Sequence, residues 1–198
     1  MYQAVLYLAA GWSGFFVMSI ELLGGRVLAP YFGSSIYVWG AIITVFMLAL
    51  AVGYLLGGWA SLHRPSLRRL AAILLGAAVM TLPVLLFGDG LLDRLSLIVS
   101  DPRSGSLAAA GLLFFLPTMV LGMVSPYAIR MLVADRLSSG HHAGKLYFVS
   151  TFGSAAGTIL TSFYLVLYLE VNQILLLLLG ISLLVALITW FGPVSTEA

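Results

Sequence analysis

The sequence contains no cysteine among its 198 residues, which excludes disulfide bonds and thiolate metal ligands. Charged side chains are also scarce: they make up 8% of the chain, against about a quarter of an ordinary soluble domain. Hydrophobic residues make up 62%. The net charge of +2 is too small to indicate a nucleic-acid partner. This composition is typical of a chain whose main solvent is a lipid bilayer.

The charge-free runs predict how the chain crosses that bilayer. A helix needs about 20 apolar residues to cross a hydrocarbon core of about 30 Å. Six runs reach about that length, at residues 1–20, 27–62, 70–88, 104–129, 146–169 and 171–196. They are continuously apolar and do not alternate, which favours helices over a barrel. The sequence predicts an all-α polytopic membrane protein, one domain over 1–198, with helices at about 3–23, 38–61, 69–88, 106–127, 146–168 and 171–191.

The first run lacks the features of a cleaved signal peptide. It begins at Met1 without a basic segment and ends in Glu21 and Arg26, not in a small-residue cleavage site. We expect it to be retained as the first helix.

The loop charges predict the orientation, because short cytoplasmic loops carry the excess of Lys and Arg. Two loops are net positive, and their titratable residues are His63, Arg64, Arg68 and Arg69 in one, and Arg130, Asp135, Arg136 and Lys145 in the other. The opposite loops hold Asp89, Asp93, Arg94, Asp101, Arg103 and Glu170. We expect both termini in the cytoplasm and the protein in the cytoplasmic (inner) membrane.

Two segments depart from plain apolar helices. Residues 89–105 mix leucines with charges, which predicts a short amphipathic helix in the outer interface, followed by a break at Asp101-Pro102. In helix 4, Pro117 and Pro126 flank Gly122, which predicts a kinked or broken helix. Two interpretations of that helix stay open, a structural kink and a break that lines a functional cavity.

Small residues recur at helical spacing in two places. Gly53, Gly57 and Gly58 lie in helix 2, and Gly153 and Gly157 lie in helix 5. Small residues four apart let helix backbones approach closely in lipid, so these glycines predict helix packing. A second interpretation is that 153–158 leaves room for a ligand or for a sliding helix.

Glu21 and Arg26 interrupt the first apolar region. Charges in membrane segments are costly and are usually paired or functional. We expect the chain to turn at Gly24-Gly25, so that the two residues meet as an ion pair. The alternative is that Glu21 faces a cation-binding vestibule. Trp39 and its aromatic neighbours then form either an interfacial belt or the walls of a site for an organic cation.

Other motifs are too weak to assign a site. His141-His142 has no third ligand close in sequence, so we predict no metal site. FGDG at 87–90 follows a membrane helix and not a strand, so it does not predict a nucleotide loop. No catalytic constellation emerges, and we expect no cofactor.

Four segments resemble the membrane portion of the spermidine synthase-like (fused major-facilitator/spermidine synthase) membrane proteins. They are ELLGGRVLAPYFGSSIYVWG (21–40), GYLLGGWAS (53–61), FFLPTMVLGMVSPYAIR (114–130) and AGKLYFVSTFGSAAGTILTSFYL (143–165). Their order and spacing match over roughly 12–170. The most specific residues are Glu21, Gly25, Arg26, Pro30, Gly33, Ser35 and Trp39, followed by Pro117, Gly122, Pro126 and Arg130.

The resemblance implies a cytoplasmic aminopropyltransferase-like domain of Rossmann type after the membrane part. We expect this chain to lack that domain, because it ends at Ala198 soon after helix 6. The helix 2 motif also departs from the family, with Ser61-Leu62-His63 where an acidic residue usually follows. The resemblance therefore implies a membrane module without catalytic activity of its own.

Three functions follow as hypotheses. The first is an accessory or scaffold subunit of a larger membrane complex, or a partner of a separately encoded spermidine synthase-like enzyme. The second is a transporter or binding protein for a polyamine-like or zwitterionic solute, since the basic side chains near the helices disfavour a simple cation path. An enzyme acting within the membrane is the weakest. The residues expected at a solute or partner site are Glu21, Arg26, Trp39, Tyr54, Pro117, Arg130, Lys145 and Tyr147.

Overall fold

A bundle of α-helices makes up the computed structural model, which describes residues 2–133 and 139–193. The helices are α1 (Tyr2–Phe32), α2 (Ile36–Ala60), α3 (Leu67–Ile98), α4 (Pro102–Gly122), α5 (Val124–Leu132), α6 (Ser139–Leu160), α7 (Val166–Tyr168) and α8 (Val171–Trp190). A π-helical segment, Thr161–Leu165, joins α6 to α7. Counting α4–α5 and α6–α7 as one span each, six helices in the described ranges are long and apolar enough to cross a membrane. The all-α fold and the six spans are confirmed.

α1 is longer than predicted, and the expected turn at Gly24-Gly25 is wrong. The helix continues through both glycines to Phe32. Inside a bilayer, a turn at this point leaves backbone groups without partners, whereas a continuous helix keeps them paired. The chain reverses instead at Gly33, whose φ of 78° suits a residue without a Cβ.

The two glycines of α1 accommodate aromatic rings. A Cβ on Gly24 would lie 3.3 Å from the Phe114 ring of α4, and a Cβ on Gly25 would lie 2.6 Å from the Trp39 ring of α2. Both glycines therefore allow close packing of aromatic rings against α1 and do not reverse the chain.

The expected separate interfacial helix over 89–105 is also wrong. α3 runs without a break to Ile98, because the leucines of this segment continue its packing: Leu92 is fully buried, and Leu95 packs against the same core. The predicted break at Asp101 is present. The Asp101 carboxylate accepts a hydrogen bond of 3.0 Å from the Arg103 backbone N–H, and Pro102 opens α4.

The fourth span is broken, as its prolines and glycine predicted. α4 ends at Gly122 and α5 begins at Val124. Pro126 lies in the first turn of α5, where backbone N–H groups have no helical acceptor in any case. Pro117 is buried inside α4 and does not end the helix.

α1 is the central helix and contacts every other span. Its buried side chains contribute to two apolar clusters. One contains Phe16, Phe46 and Phe114, and the other contains Leu6 and Tyr127. These clusters fix the six spans around α1.

Two seams of glycine join pairs of helices at backbone distance. A Cβ on Gly53 or Gly57 of α2 would overlap the carbonyl oxygens of Met119 and Met123. A Cβ on Gly153 or Gly157 of α6 would overlap the carbonyl oxygens of Gly11 and Phe15 in α1. These four glycines lie at helix contacts, which is the role predicted for them.

Gly58 departs from that prediction. No heavy atom lies within 4 Å of a Cβ placed there, because Gly58 is one residue past the seam and faces outward. Its neighbour Gly57 alone supplies the close contact in this turn of α2.

The two ends of the bundle differ in charge. The end that contains the 61–66 loop, which we call the basic end, carries Arg64, Arg68, Arg69, Arg130 and Lys145, and none of its described residues is acidic. Asp135 and Arg136 lie outside the described residues. The opposite end, the acidic end, holds Asp89, Asp93, Arg94, Asp101, Arg103 and Glu170.

Candidate functional site

Glu21 lies inside the membrane-spanning part of α1. It is 11 residues from Phe32, or about 16 Å along the helix axis. A hydrocarbon core of about 30 Å centred on this helix of about 46 Å begins about 8 Å from each end. Glu21 is therefore deeper than the helix end at which the sequence placed it.

Glu21 and Arg26 do not pair. Five residues correspond to a rotation of about 140° around a helix, so their side chains leave α1 on different faces. Arg26 instead donates a hydrogen bond of 3.5 Å to the Val166 carbonyl oxygen. Glu21 is only partly exposed, and it has no hydrogen-bond or ion-pair partner among residues 2–133 and 139–193. The expected ion pair is therefore not formed.

The Val166 carbonyl is available to Arg26 because of how this span ends. The π-helical segment Thr161–Leu165 precedes it, and the Val166 N–H donates to the Thr161 carbonyl. The backbone N–H of Glu170, four residues on, donates to the Gln173 side chain and not back to the helix. π-helical turns are frequent at functional sites. Arg26 thus hydrogen-bonds to a carbonyl at the end of this span and does not neutralise the charge of Glu21.

A stripe at three- and four-residue spacing shows what Glu21 faces. Gly14, Met18, Glu21 and Gly25 share one face of α1. A Cβ on Gly14 would overlap the α6 backbone at Ser150, whereas Gly25 touches Trp39 of α2. Glu21 lies between these two contacts along α1, and therefore on the face of α1 between α2 and α6. We call this face, with the residues of α2 and α6 beside it, the α2–α6 groove.

Hydroxyl groups line the α6 side of the groove. Ser150, Ser154 and Thr158 follow one another at four-residue intervals. The Ser154 hydroxyl donates to the Ser150 carbonyl at 3.1 Å, and the Thr158 hydroxyl donates to the Ser154 carbonyl at 2.9 Å. Each bonded hydroxyl still offers lone pairs. Together with the Glu21 carboxylate they supply several hydrogen-bond acceptors to the groove.

Aromatic side chains stand at both ends of the groove. The Trp39 ring packs against Gly25 near the acidic end. Near the basic end, Tyr54 of α2 and Tyr147 of α6 lie close enough to interact electrostatically. Both tyrosines are at least half exposed. Four of the predicted site residues, Glu21, Trp39, Tyr54 and Tyr147, therefore border one groove.

The other four predicted residues lie elsewhere. Arg26 is at the acidic end of α1, and Arg130 and Lys145 are at the basic end. Pro117 is buried within α4. The structure does not bring these four to the groove.

The described residues contain no group of three His, Cys, Asp or Glu side chains that could hold a metal ion. The sequence reasoning did not identify Gly14 and Gly25 as the neighbours that orient Glu21. The three- and four-residue spacing from Gly14 to Gly25 was the available signal.

Comparisons with known protein families, with curated proteins and with solved structures found no match for this chain. The resemblance to the spermidine synthase-like membrane proteins therefore stays a prediction.

Proposed function

We propose that this protein is a non-catalytic membrane module that acts as an accessory subunit of a larger membrane complex. The α2–α6 groove receives a transmembrane helix of the partner. One observation carries this proposal: α6 buries two of its 22 residues, whereas α4, also held by a glycine seam, buries ten of 21. α6 is attached to α1 by the face that carries its glycines and Ser154, whereas the neighbouring face, with Thr151 and Ala155, is exposed.

The chemistry of that face favours a helix over lipid chains. In membranes, helix association depends on small residues that allow close approach and on hydroxyl groups that hydrogen-bond across the interface. Thr151 and Ala155 are exposed beside Ser154 and Thr158. The fitting partner helix presents small residues to α6 and a hydrogen-bond donor or a basic side chain to Glu21.

The experiment is purification of the tagged chain in mild detergent from its native membrane, with mass spectrometry of the proteins that accompany it. Thr151→Trp places a large ring in the groove, and Phe152→Trp is the matched control, since Phe152 is 67% exposed and lies about 100° around α6 from Thr151. We expect a stoichiometric membrane partner with the wild type and with Phe152→Trp, and its loss with Thr151→Trp. A chain that purifies alone contradicts the proposal.

The family resemblance adds a further partner, a separately encoded spermidine synthase-like enzyme in the cytoplasm. It would dock at the basic end. The same purification detects it as a soluble protein whose binding Thr151→Trp does not affect.

A second candidate function is the binding or transport of an amine-bearing, polyamine-like solute. It rests on Glu21, a partly buried carboxylate without a partner next to the Trp39 face. A carboxylate with an aromatic ring holds an organic cation by ion pairing and cation–π attraction. Calorimetric titration of the purified protein with spermidine tests it. Loss of binding in Glu21→Gln, with binding kept in the exposed Glu170→Gln, supports a solute site, and absence of binding to the wild type rejects it.

Both termini lie in the cytoplasm in this proposal, and the membrane is the cytoplasmic membrane. The excess of arginine at the basic end supports this orientation. Because the chain has no cysteine, single cysteines report the topology without background. Ser100→Cys should react with an impermeant maleimide on intact cells, and Leu62→Cys only after permeabilisation; the reverse pattern refutes the orientation.

A further inference from the structure

The basic end contains a cavity of about 400 Å³ between the end of α2, the start of α3 and the break before α5. Apolar side chains form most of its wall: Trp59, Ala72, Ile73 and Met123. The polar part of the wall contains His63 and Arg69. A volume of this size is within the range that holds small ligands and ligand segments.

The polar part of this wall is fixed by hydrogen bonds. Tyr127, which is 1% exposed, accepts a hydrogen bond of 3.0 Å at its hydroxyl from the Ser66 backbone N–H. The Arg69 guanidinium donates to the His63 carbonyl oxygen. The 61–66 loop is therefore tied to α3 and to α5, and it holds His63 and Arg69 at the mouth of the cavity.

Arg64 follows His63 in the 61–66 loop and adopts a backbone conformation that disfavours residues other than glycine. Its φ of 46° is in the left-handed region, where crowding of the Cβ costs a non-glycine residue free energy. Glycine would remove that cost at this exposed position. An arginine held there is consistent with a role for its charged side chain.

We propose that this cavity binds an anionic phospholipid. One acyl chain enters between Trp59, Ala72 and Met123, and the phosphate lies against Arg64 and Arg69. The apolar wall suits hydrocarbon, and basic pockets between transmembrane helices are suited to acidic headgroups. No described residue at this end is acidic, so no carboxylate of the described chain competes with the phosphate for these guanidinium groups.

Arg68 provides a matched control. Its guanidinium lies 5.9 Å from the centre of the Trp190 ring, beside a second cavity lined by Tyr2 and Phe191. Removing Arg68 takes away one positive charge from the same end of the protein without altering the proposed site.

The test is native mass spectrometry of the whole protein with phosphatidylglycerol and phosphatidylcholine of identical chains. We expect the wild type to retain one phosphatidylglycerol in clear preference to phosphatidylcholine. Arg64→Gly should lower that preference about fivefold, the value of one arginine near a phosphate, and should not lower the melting temperature. Arg68→Gln should change it less than about twofold. Equal losses in the two variants would show general surface attraction and overturn the proposal.

Two further experiments distinguish binding of a phospholipid from binding of free phosphate. Ala72→Trp fills the cavity and should abolish retention of the lipid, whereas Ala51→Trp, at another exposed alanine, should not. Millimolar inorganic phosphate should not displace the lipid, because it has no acyl chain to place in the cavity. Displacement by phosphate, or unchanged retention in Ala72→Trp, contradicts the phospholipid assignment.

Discussion

α2 and α6 occupy equivalent places in the two halves of the chain, yet they contain very different numbers of buried residues. The second span packs on the fourth through Gly53 and Gly57, and the fifth packs on the first through Gly153 and Gly157. If the first three spans are exchanged in order with the last three, the seam between the second and fourth spans becomes the seam between the fifth and first. Nevertheless α2 buries eight of 25 residues and α6 buries two of 22.

The difference follows from side chains around the glycines. In α2 the seam is continued by apolar residues such as Val45 and Phe46, which enter the core. Aligned on the glycines, Ser150, Ser154 and Thr158 of α6 correspond to Leu50, Tyr54 and Gly58 of α2, and the hydroxyl groups of Ser154 and Thr158 donate to carbonyl oxygens of their own helix. Close backbone approach and burial are therefore separate properties, and α6 has the first without the second. Since three spans form each half, the halves have opposite orientations, and the α2–α6 groove lies between equivalent helices.

The largest expected effect comes from closing the α2 seam. Gly53→Leu places a side chain into the Met119 carbonyl and the backbone of Gly122, and it should destabilise the protein by about 3 kcal/mol. Gly58→Leu, at an open position of the same helix, is the control. Thermal unfolding in detergent measures both, and equal melting temperatures would refute the seam as the source of α2 packing.

Closing the α6 seam should have a more local effect. Gly153→Leu places its side chain into Gly11 of α1, and it should detach α6 while the α2–α4 pair stays folded. Hydrogen exchange resolved by segment measures this: protection should fall in 146–160 and remain in 40–57. Gly144→Leu, with open space around its Cβ, should leave both segments protected. Loss of protection in both segments with Gly153→Leu would show that the two seams are one cooperative unit.

Two buried threonines should respond with opposite signs. Thr161 donates a hydrogen bond of 2.9 Å to the Ser19 hydroxyl across the α1–α6 seam, so Thr161→Val should cost about 1 kcal/mol. The Thr118 hydroxyl is buried in α4 without a partner, so Thr118→Val removes an unsatisfied group and should be neutral or stabilising by about 1 kcal/mol. Free energies of unfolding in denaturant compare them, and a loss of stability in Thr118→Val would contradict the structure at that hydroxyl.

The smallest effect is expected at Arg26. Its hydrogen bond to the Val166 carbonyl is long, at 3.5 Å, and exposed. Arg26→Gln should change the free energy of unfolding by no more than about 0.5 kcal/mol. A change of several kcal/mol would indicate that Arg26 compensates the Glu21 charge after all.

The number of spans, the break in helix 4 and the contact glycines were predictable, because apolar length, proline and glycine spacing act locally along the chain. The path of α1 was not. Gly24-Gly25 has the composition of a turn, whereas the bilayer favours a helix with paired backbone groups, and the rings of Phe114 and Trp39 from other helices pack on the two glycines. Pairing of Glu21 with Arg26 was predicted from proximity in sequence, and helical rotation separates them.

The groove itself depends on tertiary contacts. Tyr54 and Tyr147 are 93 residues apart in sequence, and only the two seams bring them close. The π-helical segment and the basic-end cavity have no clear signature in a single sequence. The helices could therefore be predicted from local sequence, whereas the residues that each helix exposes depend on how the helices pack together.

The most direct test of the groove as a partner site is photo-crosslinking in the native membrane from two adjacent positions of α6. A photoreactive amino acid at Thr151, on the groove side, should yield one discrete adduct with another membrane protein, and Glu21→Gln should weaken it. The same group at Phe152, about 100° around the helix at the same depth, should react with lipid alone. Adducts of equal yield from both positions, or lipid adducts alone from Thr151, would contradict a partner helix in the α2–α6 groove.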